Sequence, residues 1–174
     1  MEAGGRARGR LPMWREPMTD ITALVIATTP VLLAAVLGNR ATMPKIRTWY
    51  SGLAKPAFNP PNWVFGPVWA LLYAMMAYAF FRVLVVAPGP WTATATVLFL
   101  IQIALNAGWS FAFFAGESPK AGLLLIVPLC FGIALTALAF WQIDLWASLL
   151  LLPYLAWVSF ALLLNREIAR LNPS

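Results

Sequence analysis

The residues of this chain that could take part in chemistry are aromatic and amide side chains, because the sequence has no histidine and a single cysteine, Cys130. A zinc site, a histidine-ligated haem, a Ser-His-Asp triad and a disulfide within the chain are therefore excluded, and we expect no metal site. The nine tryptophans are the most unusual feature of the composition. They either anchor the chain at a membrane surface or form a binding site.

A stretch in the middle of the chain carries two different faces if it is helical. One face is polar and aromatic, with spacings of four, three and four residues: Gln102, Asn106, Trp109 and Phe113. The other face repeats a small residue at every fourth position: Ala104, Gly108, Ala112 and Gly116. Small residues let a second helix approach closely, so we expect a packing or dimer seam there. The amides of Gln102 and Asn106 need partners in an apolar environment, and they either join helices or contact a ligand.

Two further stretches carry aromatic side chains at helical spacing. They are Phe65, Trp69, Tyr73 and Met76 in one stretch, and Tyr154 and Trp157 with the small residue Ala161 in the other. Most aromatic stripes of this kind belong to a hydrophobic core. Trp69, Trp109 and Trp157, however, lie several residues inside uncharged segments, where anchoring at the membrane surface does not explain an indole N–H. The three stretches therefore predict a flat pocket lined by aromatic rings.

A loop between residues 39 and 62 is rich in proline and aromatic residues. Its characteristic residues are Trp49, Tyr50, Lys55, Pro56, Phe58, Pro60 and Pro61, and Trp63 follows directly after it. Flexible linkers avoid this density of aromatic side chains, and proline fixes φ, so we expect the loop to be ordered. Its aromatic side chains either anchor at the headgroup level or fold back as a lid over the mouth of the bundle.

The elements that must position these residues are membrane-spanning helices. The chain has 174 residues, of which 61% are hydrophobic and 10% charged, whereas a soluble domain carries about 25% charged residues. Five stretches without Asp, Glu, Lys or Arg can each supply the roughly 20 apolar residues that cross a bilayer. We place helices near residues 21–38, 63–86, 92–115, 121–142 and 145–165. The predicted fold is an all-α integral membrane protein, a bundle of five transmembrane helices.

The predicted bundle spans residues 21–166 and includes the ordered loop at 39–62. Residues 1–20 are expected to be a disordered basic N-terminal tail, and residues 167–174 a C-terminal tail. Lysine and arginine are more numerous on the side of the C-terminus, which predicts that the C-terminus faces the cytoplasm. Loop cations beside anionic headgroups account for the net charge of +6, so nucleic acid is not an expected partner.

Few residues could support catalysis or proton coupling. The uncharged stretches hold no carboxylate pair, no lysine and no Cys-His arrangement, and Glu117 and Asp144 lie at their ends, where water reaches them. Cys130 has no cationic neighbour in the sequence, which favours an inert thiol. A proton-coupled transporter normally needs an acid or a histidine inside the membrane, so transport is disfavoured.

A set of short motifs runs from the loop to the C-terminus: Trp49-Tyr50, Lys55-Pro56, Pro60-Pro61, Phe65 with Trp69, Leu72-Tyr73, Asn106 with Trp109, Phe113-Phe114, Trp141-Gln142, Pro153-Tyr154-Leu155-Ala156-Trp157, Leu164-Asn165 and Leu171-Asn172. Together they resemble the TspO/MBR family, the tryptophan-rich sensory proteins that include the mitochondrial translocator protein, once called the peripheral benzodiazepine receptor. The combination is far more specific than any one of these motifs. The match extends over all five predicted helices.

The resemblance implies a five-helix bundle, usually dimeric, whose inner pocket is closed by the first loop. Members bind porphyrins such as protoporphyrin IX, benzodiazepine-type drugs and, in animals, cholesterol. The family's pocket positions fall on Trp49, Trp69, Asn106, Trp109, Tyr154, Trp157 and Ala161. Trp69 and Trp157 match the pair that some bacterial members are proposed to use in light- and oxygen-dependent porphyrin breakdown. With Tyr73 and Phe113 from the helical faces, these residues form the predicted ligand-binding set.

One position departs from the animal members of the family. Leu164-Asn165 is followed by Arg166, where those proteins have the tyrosine of their cholesterol-recognition motif, and this lowers the expectation of sterol binding. The absence of histidine means that a bound tetrapyrrole has no histidine axial ligand. A metal-free porphyrin stacked on indole rings is therefore favoured.

These features favour a membrane receptor or sensor for protoporphyrin-like tetrapyrroles and other flat hydrophobic ligands, which regulates porphyrin metabolism or a stress response. An enzyme that degrades porphyrin with Trp69 and Trp157 is the first alternative, and a porphyrin or sterol transporter is the second. No cofactor is required, and the expected partners are the porphyrin ligand, membrane lipid and a second copy of the chain. The expected membrane is bacterial, or the mitochondrial outer membrane if the source is a eukaryote.

Overall fold

The computed structural model describes residues 19–86 and 88–173. Its helices are α1 (Asp20–Ile46), α2 (Trp49–Gly52), α3 (Asn62–Val85), α4 (Thr92–Ser110), α5 (Pro119–Trp141) and α6 (Leu145–Leu171), and α4 continues through a π-helical turn, Phe111–Ala115. All except α2 are long and apolar enough to cross a bilayer. The predicted all-α, five-helix transmembrane fold is confirmed. The expected N-terminal tail lies outside the described residues, apart from its last two positions.

Polar side chains fix the N-terminal ends of three of the spanning helices. Asp144 caps α6 by accepting a hydrogen bond from the backbone N–H of Ala147 at 2.7 Å. Ser118 caps α5 in the same way through Ala121 N–H at 3.1 Å, and Thr19 caps α1. Each cap satisfies a backbone donor that has no partner within the helix, and this determines where the helix begins.

Two helices extend beyond the uncharged stretches from which they were predicted. The helix expected to end near residue 38 continues to Ile46, so eight residues of the loop predicted at 39–62 are helical. The helix expected to end near 165 continues to Leu171, and most of the predicted C-terminal tail is therefore helical. Basic residues lie in these last turns, such as Lys45 and Arg170. Their long side chains can extend to water at the headgroup level, and their positive charge interacts favourably with the negative end of the helix dipole. A charge therefore marks the membrane surface and not the end of the helix.

The five long helices pack in a ring. Around this ring α1 contacts α3, α3 contacts α6, α6 contacts α5, α5 contacts α4, and α4 contacts α1. At the end of the bundle far from the first loop, three stacked rings fill the centre. Phe99 lies 4.2 Å from Phe80 and 5.9 Å from Phe140 between ring centroids. These three rings pack closely at the centre of that end.

Ion pairs join helices at both ends of the ring. At the far end Arg82 of α3 makes a two-point contact with Asp144, with Nε–Oδ1 and Nη2–Oδ2 distances of 3.1 and 2.7 Å. At the loop end Lys45 of α1 contacts Glu117, in the turn between α4 and α5, at 2.6 Å. Glu117 has a positive φ of 50°, which allows the tight turn after the π-helical segment.

The predicted small-residue seam on α4 is not one continuous free face. A Cβ atom added at Gly108 would lie 3.6 Å from Leu125 of α5, so the centre of the stripe contacts the neighbouring helix. Ala104 is exposed, Ala112 is half-buried, and Gly116 follows the π-helical turn. That turn changes the spacing of successive residues, and a repeat of four no longer describes one line. The stripe therefore includes a packing contact within the chain, and dimer formation stays a prediction.

Candidate ligand-binding site

A cavity of about 800 Å³ opens in the half of the bundle nearer the first loop. Its lining comes from α1, α3, α4 with its π-helical turn and α6, and from Arg47 and Tyr50 between α1 and α3. The volume lies within the range of about 300 to 1,000 Å³ that is usual for small-molecule sites. Most of the lining is apolar or aromatic, which suits a hydrophobic ligand.

One wall of the cavity is a set of nearly parallel aromatic rings. Trp69 and Trp109 lie 6.5 Å apart with an interplanar angle of 29°. Trp109 and Phe113 lie 5.6 Å apart at 27°, and Tyr73 lies 5.5 Å from Trp69 at 32°. All four line the cavity, as the helical spacing predicts. A lining this rich in aromatic rings favours contact with a flat, conjugated ligand.

Behind this wall a chain of hydrogen bonds joins three helices. The Tyr73 hydroxyl donates to Asn106 Oδ1 at 2.9 Å, and Asn106 Nδ2 donates to the Tyr154 hydroxyl at 3.0 Å. Asn106 and Tyr154 are almost fully buried and do not line the cavity. Of the two roles open to Asn106, the structure shows the joining of α3, α4 and α6. Gln102 also lies away from the cavity, against Gly132 of α5.

Asn165 is a site residue that the helical spacing did not single out. Its Oδ1 accepts a hydrogen bond from the indole N–H of Trp109 at 3.2 Å, and its Nδ2 donates to the Pro119 carbonyl at 2.8 Å. Asn165 lines the cavity together with Ala161. The two are one helical turn apart, so extending the stripe of α6 by four residues would have found it. Its contacts fix the orientation of the Trp109 ring.

Trp157 lies away from the cavity, although the resemblance places it in the family's pocket. It lines a separate groove of about 430 Å³ between α3 and α6. Its ring contacts Phe65 at 5.9 Å and Phe160 at 5.6 Å, and its buried N–H has no hydrogen-bond partner among the described residues. The structure records no ring contact between Trp157 and Trp69. A spacing of three residues turns Trp157 about 60° from Tyr154, and this carries it to the α3 side.

The first loop packs on the π-helical turn through aromatic contacts. Trp49 lies 5.5 Å from Phe113 and 6.5 Å from Phe114, both in edge-on geometry. Tyr50 also contacts both rings and is buried. Trp49 does not line the cavity, whereas Tyr50 does. Tyr50 therefore brings the loop to the edge of the cavity, and the order of the loop and its role as a lid stay predictions.

Polar contacts hold the loop in this position. The Tyr50 hydroxyl donates to Asn59 Oδ1 at 2.8 Å, and burial raises the pKa of Tyr50 to about 12. Lys55 donates to the carbonyl of Leu53 at 2.9 Å, and its ammonium lies 4.7 Å from the Tyr50 ring. Burial lowers the pKa of Lys55.

Prolines shape the two ends of the same loop. The carbonyl of Pro56 accepts from the backbone N–H of Asn59 at 3.0 Å, and Asn59 Nδ2 donates to the Pro60 carbonyl at 2.9 Å. Pro61 is the residue before α3. Fixed φ angles at these positions reduce the conformations that the loop must lose when it becomes ordered.

The end of α6 forms a second attachment for the loop. Asn172 Oδ1 accepts from the backbone N–H of Ala54 at 3.0 Å, and Asn172 Nδ2 donates to the Ala54 carbonyl at 2.9 Å. The side-chain amide of Asn172 thus makes hydrogen bonds with both the backbone N–H and the carbonyl of one loop residue. Nδ2 also donates to the Ile168 carbonyl at 2.8 Å. The loop and the C-terminal turn of α6 are therefore held together.

The cavity also opens sideways between α1 and α3. Exposed residues from both helices line it: Leu32, Val36, Asn39 and Met43 from α1, and Trp63, Gly66 and Ala70 from α3. No site residue was predicted on α1. The spacing of Leu32, Val36, Asn39 and Met43 is four, three and four residues, the same helical pattern that identified the other faces. The side opening therefore lies on the exposed surface of α1 and α3.

Comparison with known proteins agrees with the fold and with the motifs. The model of the TspO/MBR family matches residues 26–171. The chain is 47% identical over 159 residues to the tryptophan-rich protein TspO of Chlorobaculum tepidum, covering 88% of this chain and 98% of that protein. It is 36% identical over 143 residues to the human translocator protein, covering 80% of this chain and 84% of that protein. The chain is therefore a member of the TspO/MBR family of integral membrane proteins.

Proposed function

We propose that the protein is a membrane sensor that binds protoporphyrin-like tetrapyrroles, and other flat hydrophobic ligands, in the cavity beneath the first loop. A sensor or receptor role is supported by its family, whose members include a tryptophan-rich sensory protein of Cereibacter sphaeroides that is 35% identical over 152 residues. In this proposal the bound ligand reports porphyrin levels, and the protein thereby regulates porphyrin metabolism or a stress response. No cofactor is needed for binding.

The observation that carries the proposal is the aromatic wall. Trp69, Trp109 and Phe113 line a cavity of about 800 Å³, and successive rings of the three lie within about 30° of parallel to each other. Stacking on aromatic rings stabilises a planar conjugated ligand more than a bulky or branched one. The lining offers no histidine, since the chain has none, so the ring system is held by its faces and edges and not by axial histidine ligation.

Tryptophan fluorescence tests the proposal. Protein in detergent is titrated with protoporphyrin IX, and we expect saturable quenching because bound porphyrin lies beside Trp69 and Trp109. Replacing Trp69 by Phe should weaken binding, whereas replacing Trp141, which is 58% exposed on α5, should reduce the signal without changing the midpoint. Unsaturable quenching, or the same midpoint shift for both variants, would contradict the proposal.

Porphyrin degradation by Trp69 and Trp157 is the alternative, and the geometry supports it less. Trp69 lines the cavity but Trp157 lines the outer groove, so a ligand in the cavity would contact only one member of the pair. Illumination of the aerobic complex separates the two functions. Repeated product formation per protein would favour the enzyme, whereas consumption of one equivalent with oxidation of tryptophan would favour the sensor.

A further inference from the structure

The cavity is almost free of charge, with one exception. Among the residues that line it, Arg47 alone carries a formal charge; the others are apolar, aromatic or uncharged polar residues. No carboxylate belongs to this lining. Within the described part of the chain, a ligand in the cavity therefore meets one fixed positive charge and no fixed negative charge.

Arg47 lies where the loop leaves α1, at the edge of the cavity. It is the C-cap residue of α1, is exposed, and stands two residues before Trp49. The Ser51 hydroxyl donates to its carbonyl at 2.9 Å, so its backbone is held by the first turn of the loop. The three ion pairs of the described residues use Lys45, Arg82 and Arg170 as cations. The guanidinium of Arg47 has no carboxylate partner among them.

The surroundings of Arg47 favour an anion over a second cation. Within the described residues, the loop end of the bundle carries seven basic residues, Arg40, Lys45, Arg47, Lys55, Lys120, Arg166 and Arg170, and two acidic residues, Glu117 and Glu167. A surplus of one sign around an opening raises the local concentration of ligands of the opposite sign. The field at the mouth therefore attracts an anionic ligand.

We propose that Arg47 binds an edge carboxylate of a flat hydrophobic ligand at the mouth of the cavity. The proposal rests on the proposed function, because it assumes that the ring system of the ligand stacks on Trp69 and Trp109. A guanidinium pairs with a carboxylate through two parallel hydrogen bonds, which fixes orientation as well as adding affinity. Arg47 is then a specificity-determining residue: the aromatic wall accepts flat ligands in general, and the arginine favours acids over their neutral esters.

The test compares protoporphyrin IX with its dimethyl ester, which has the same ring system without the acids. Both are titrated against the wild-type protein in detergent by tryptophan quenching. Because Arg47 is exposed, we expect a preference for the acid of up to about fivefold, the upper range of an exposed ion pair. Raising the salt concentration should reduce this preference.

Variants distinguish a direct contact of Arg47 with the ligand from the effect of the net positive charge at the loop end of the bundle. Arg47→Gln should abolish the preference for the acid over the dimethyl ester, mainly by weakening binding of the acid. Arg47→Lys should retain part of it, because the charge remains without the two-point geometry. Arg40→Gln is the matched control, since Arg40 is an exposed cation of the same helix that does not line the cavity; it should keep the preference.

The outcomes distinguish failure of this inference from failure of the proposed function. Equal binding of acid and ester by the wild-type protein would overturn the role of Arg47 and leave porphyrin binding intact. An equal loss of preference in Arg47→Gln and Arg40→Gln would also overturn it, because the effect would then belong to the field alone. Saturable binding of neither compound would overturn the proposed function itself.

Discussion

At the scale of single residues, Asn165 connects the binding wall with the packing of the bundle. One amide side chain satisfies the indole N–H of Trp109 and the Pro119 carbonyl, and the N-terminal end of α5 packs closely against it. A Cβ atom added at Gly122 would lie 2.7 Å from Asn165 Oδ1 and 2.8 Å from Phe113 Cδ2. Glycine at 122 is therefore required by contact, and not by backbone conformation.

Replacing Asn165 by Ala should destabilise the protein by about 1 to 3 kcal/mol, because a buried donor and a buried acceptor lose their partner. The same change should weaken porphyrin binding, since the Trp109 ring is no longer fixed. Thermal unfolding in detergent and fluorescence titration measure the two effects. Asn39→Ala is the control for the melting temperature alone, because Asn39 is exposed but lines the cavity. Equal melting temperatures for Asn165→Ala and wild type would show that these hydrogen bonds do not stabilise the fold.

Two glycine substitutions make a matched pair. Gly122→Ala should lower the melting temperature, because the new methyl group would overlap Phe113 and Asn165. Gly66→Ala has nothing within 4 Å of the added Cβ, and in a helix alanine is favoured over glycine by up to about 1 kcal/mol. We therefore expect Gly66→Ala to leave stability unchanged or to raise it. A similar loss in both variants would contradict the packing described at Gly122.

At the scale of elements, the first loop is held by contacts to two different helices. Trp49 and Tyr50 contact the π-helical turn after α4, and Ala54 contacts Asn172 at the end of α6. The sequence predicted an ordered loop from its aromatic and proline content. It did not predict the contact with Asn172, because a pairing across 118 positions of the chain leaves no local pattern.

Asn172→Ala should increase hydrogen exchange in the loop without unfolding the bundle. Loss of a hydrogen bond of about 1 kcal/mol corresponds to a roughly fivefold increase in the opening equilibrium. Exchange of residues 53–59 should rise by about that factor in the ligand-free protein, and exchange in α5 should not change. Arg170→Ala, two residues earlier, is the control. Unchanged exchange of the loop in Asn172→Ala would show that the α6 attachment does not hold it.

The contact between Arg82 and Asp144 joins α3 to the start of α6 and predicts a pH dependence. The hydrogen bonds from Arg82, followed by those from the α6 backbone, hold the pKa of the Asp144 carboxyl below its usual value. A lowered native pKa means that the contribution to stability is present above the unfolded value, near 3.9. It is lost as the pH falls below that value and through the native pKa.

Acid should therefore lower the melting temperature of the wild-type protein below about pH 4. Asp144→Asn should be less stable than wild type at pH 7, by about 1 kcal/mol for a partly solvated pair, and the difference should shrink as the pH falls. Asparagine retains the helix cap, so the variant isolates the charge. Asp20→Asn, an exposed acid at the start of α1, is the control. A constant difference at every pH would contradict the charge contribution.

At the scale of the whole molecule, composition and charge spacing were sufficient to predict the fold. A chain with 61% hydrophobic residues and five long uncharged stretches has few alternatives to a helical bundle in a membrane. The helix ends were less predictable, since α1 and α6 continue past the charges that mark the membrane surface. Helical spacing identified Trp69, Tyr73, Trp109, Phe113 and Ala161 as lining residues, and all five line the cavity.

Helical spacing could not decide which neighbour each face meets. Trp157 shares a stripe with Tyr154, yet it lies in the outer groove between α3 and α6. Asn106 shares a face with Trp109, yet it is enclosed between two tyrosines. Two side chains that differ by about 60° around a helix axis can face the cavity and the neighbouring interface respectively. Which of the two each side chain faces depends on how the five helices pack, and helical spacing does not show this.

We propose an orientation in the membrane from the distribution of charge over the molecule. The surplus of basic residues at the loop end favours a cytoplasmic location for that end and for the C-terminus.

A second copy of the chain would pack along the exposed part of the α4 stripe, around Ala104. Ala104→Leu should then shift the size distribution in mild detergent towards the monomer, whereas Leu124→Ala, which is exposed on α5, should not. Identical distributions would exclude this surface as the dimer interface.

The most direct test of the account is to fill the cavity from its own wall. Ala161 lies on the cavity face of α6 and Ala156 lies in the outer groove, so Ala161→Phe and Ala156→Phe add the same group to the two sites. Protoporphyrin binding is measured by saturable quenching, with melting temperature as the check that both variants fold. We expect Ala161→Phe to abolish binding and Ala156→Phe to leave it unchanged. Binding that survives Ala161→Phe but is lost in Ala156→Phe would contradict the account, because the ligand would then occupy the groove beside Trp157.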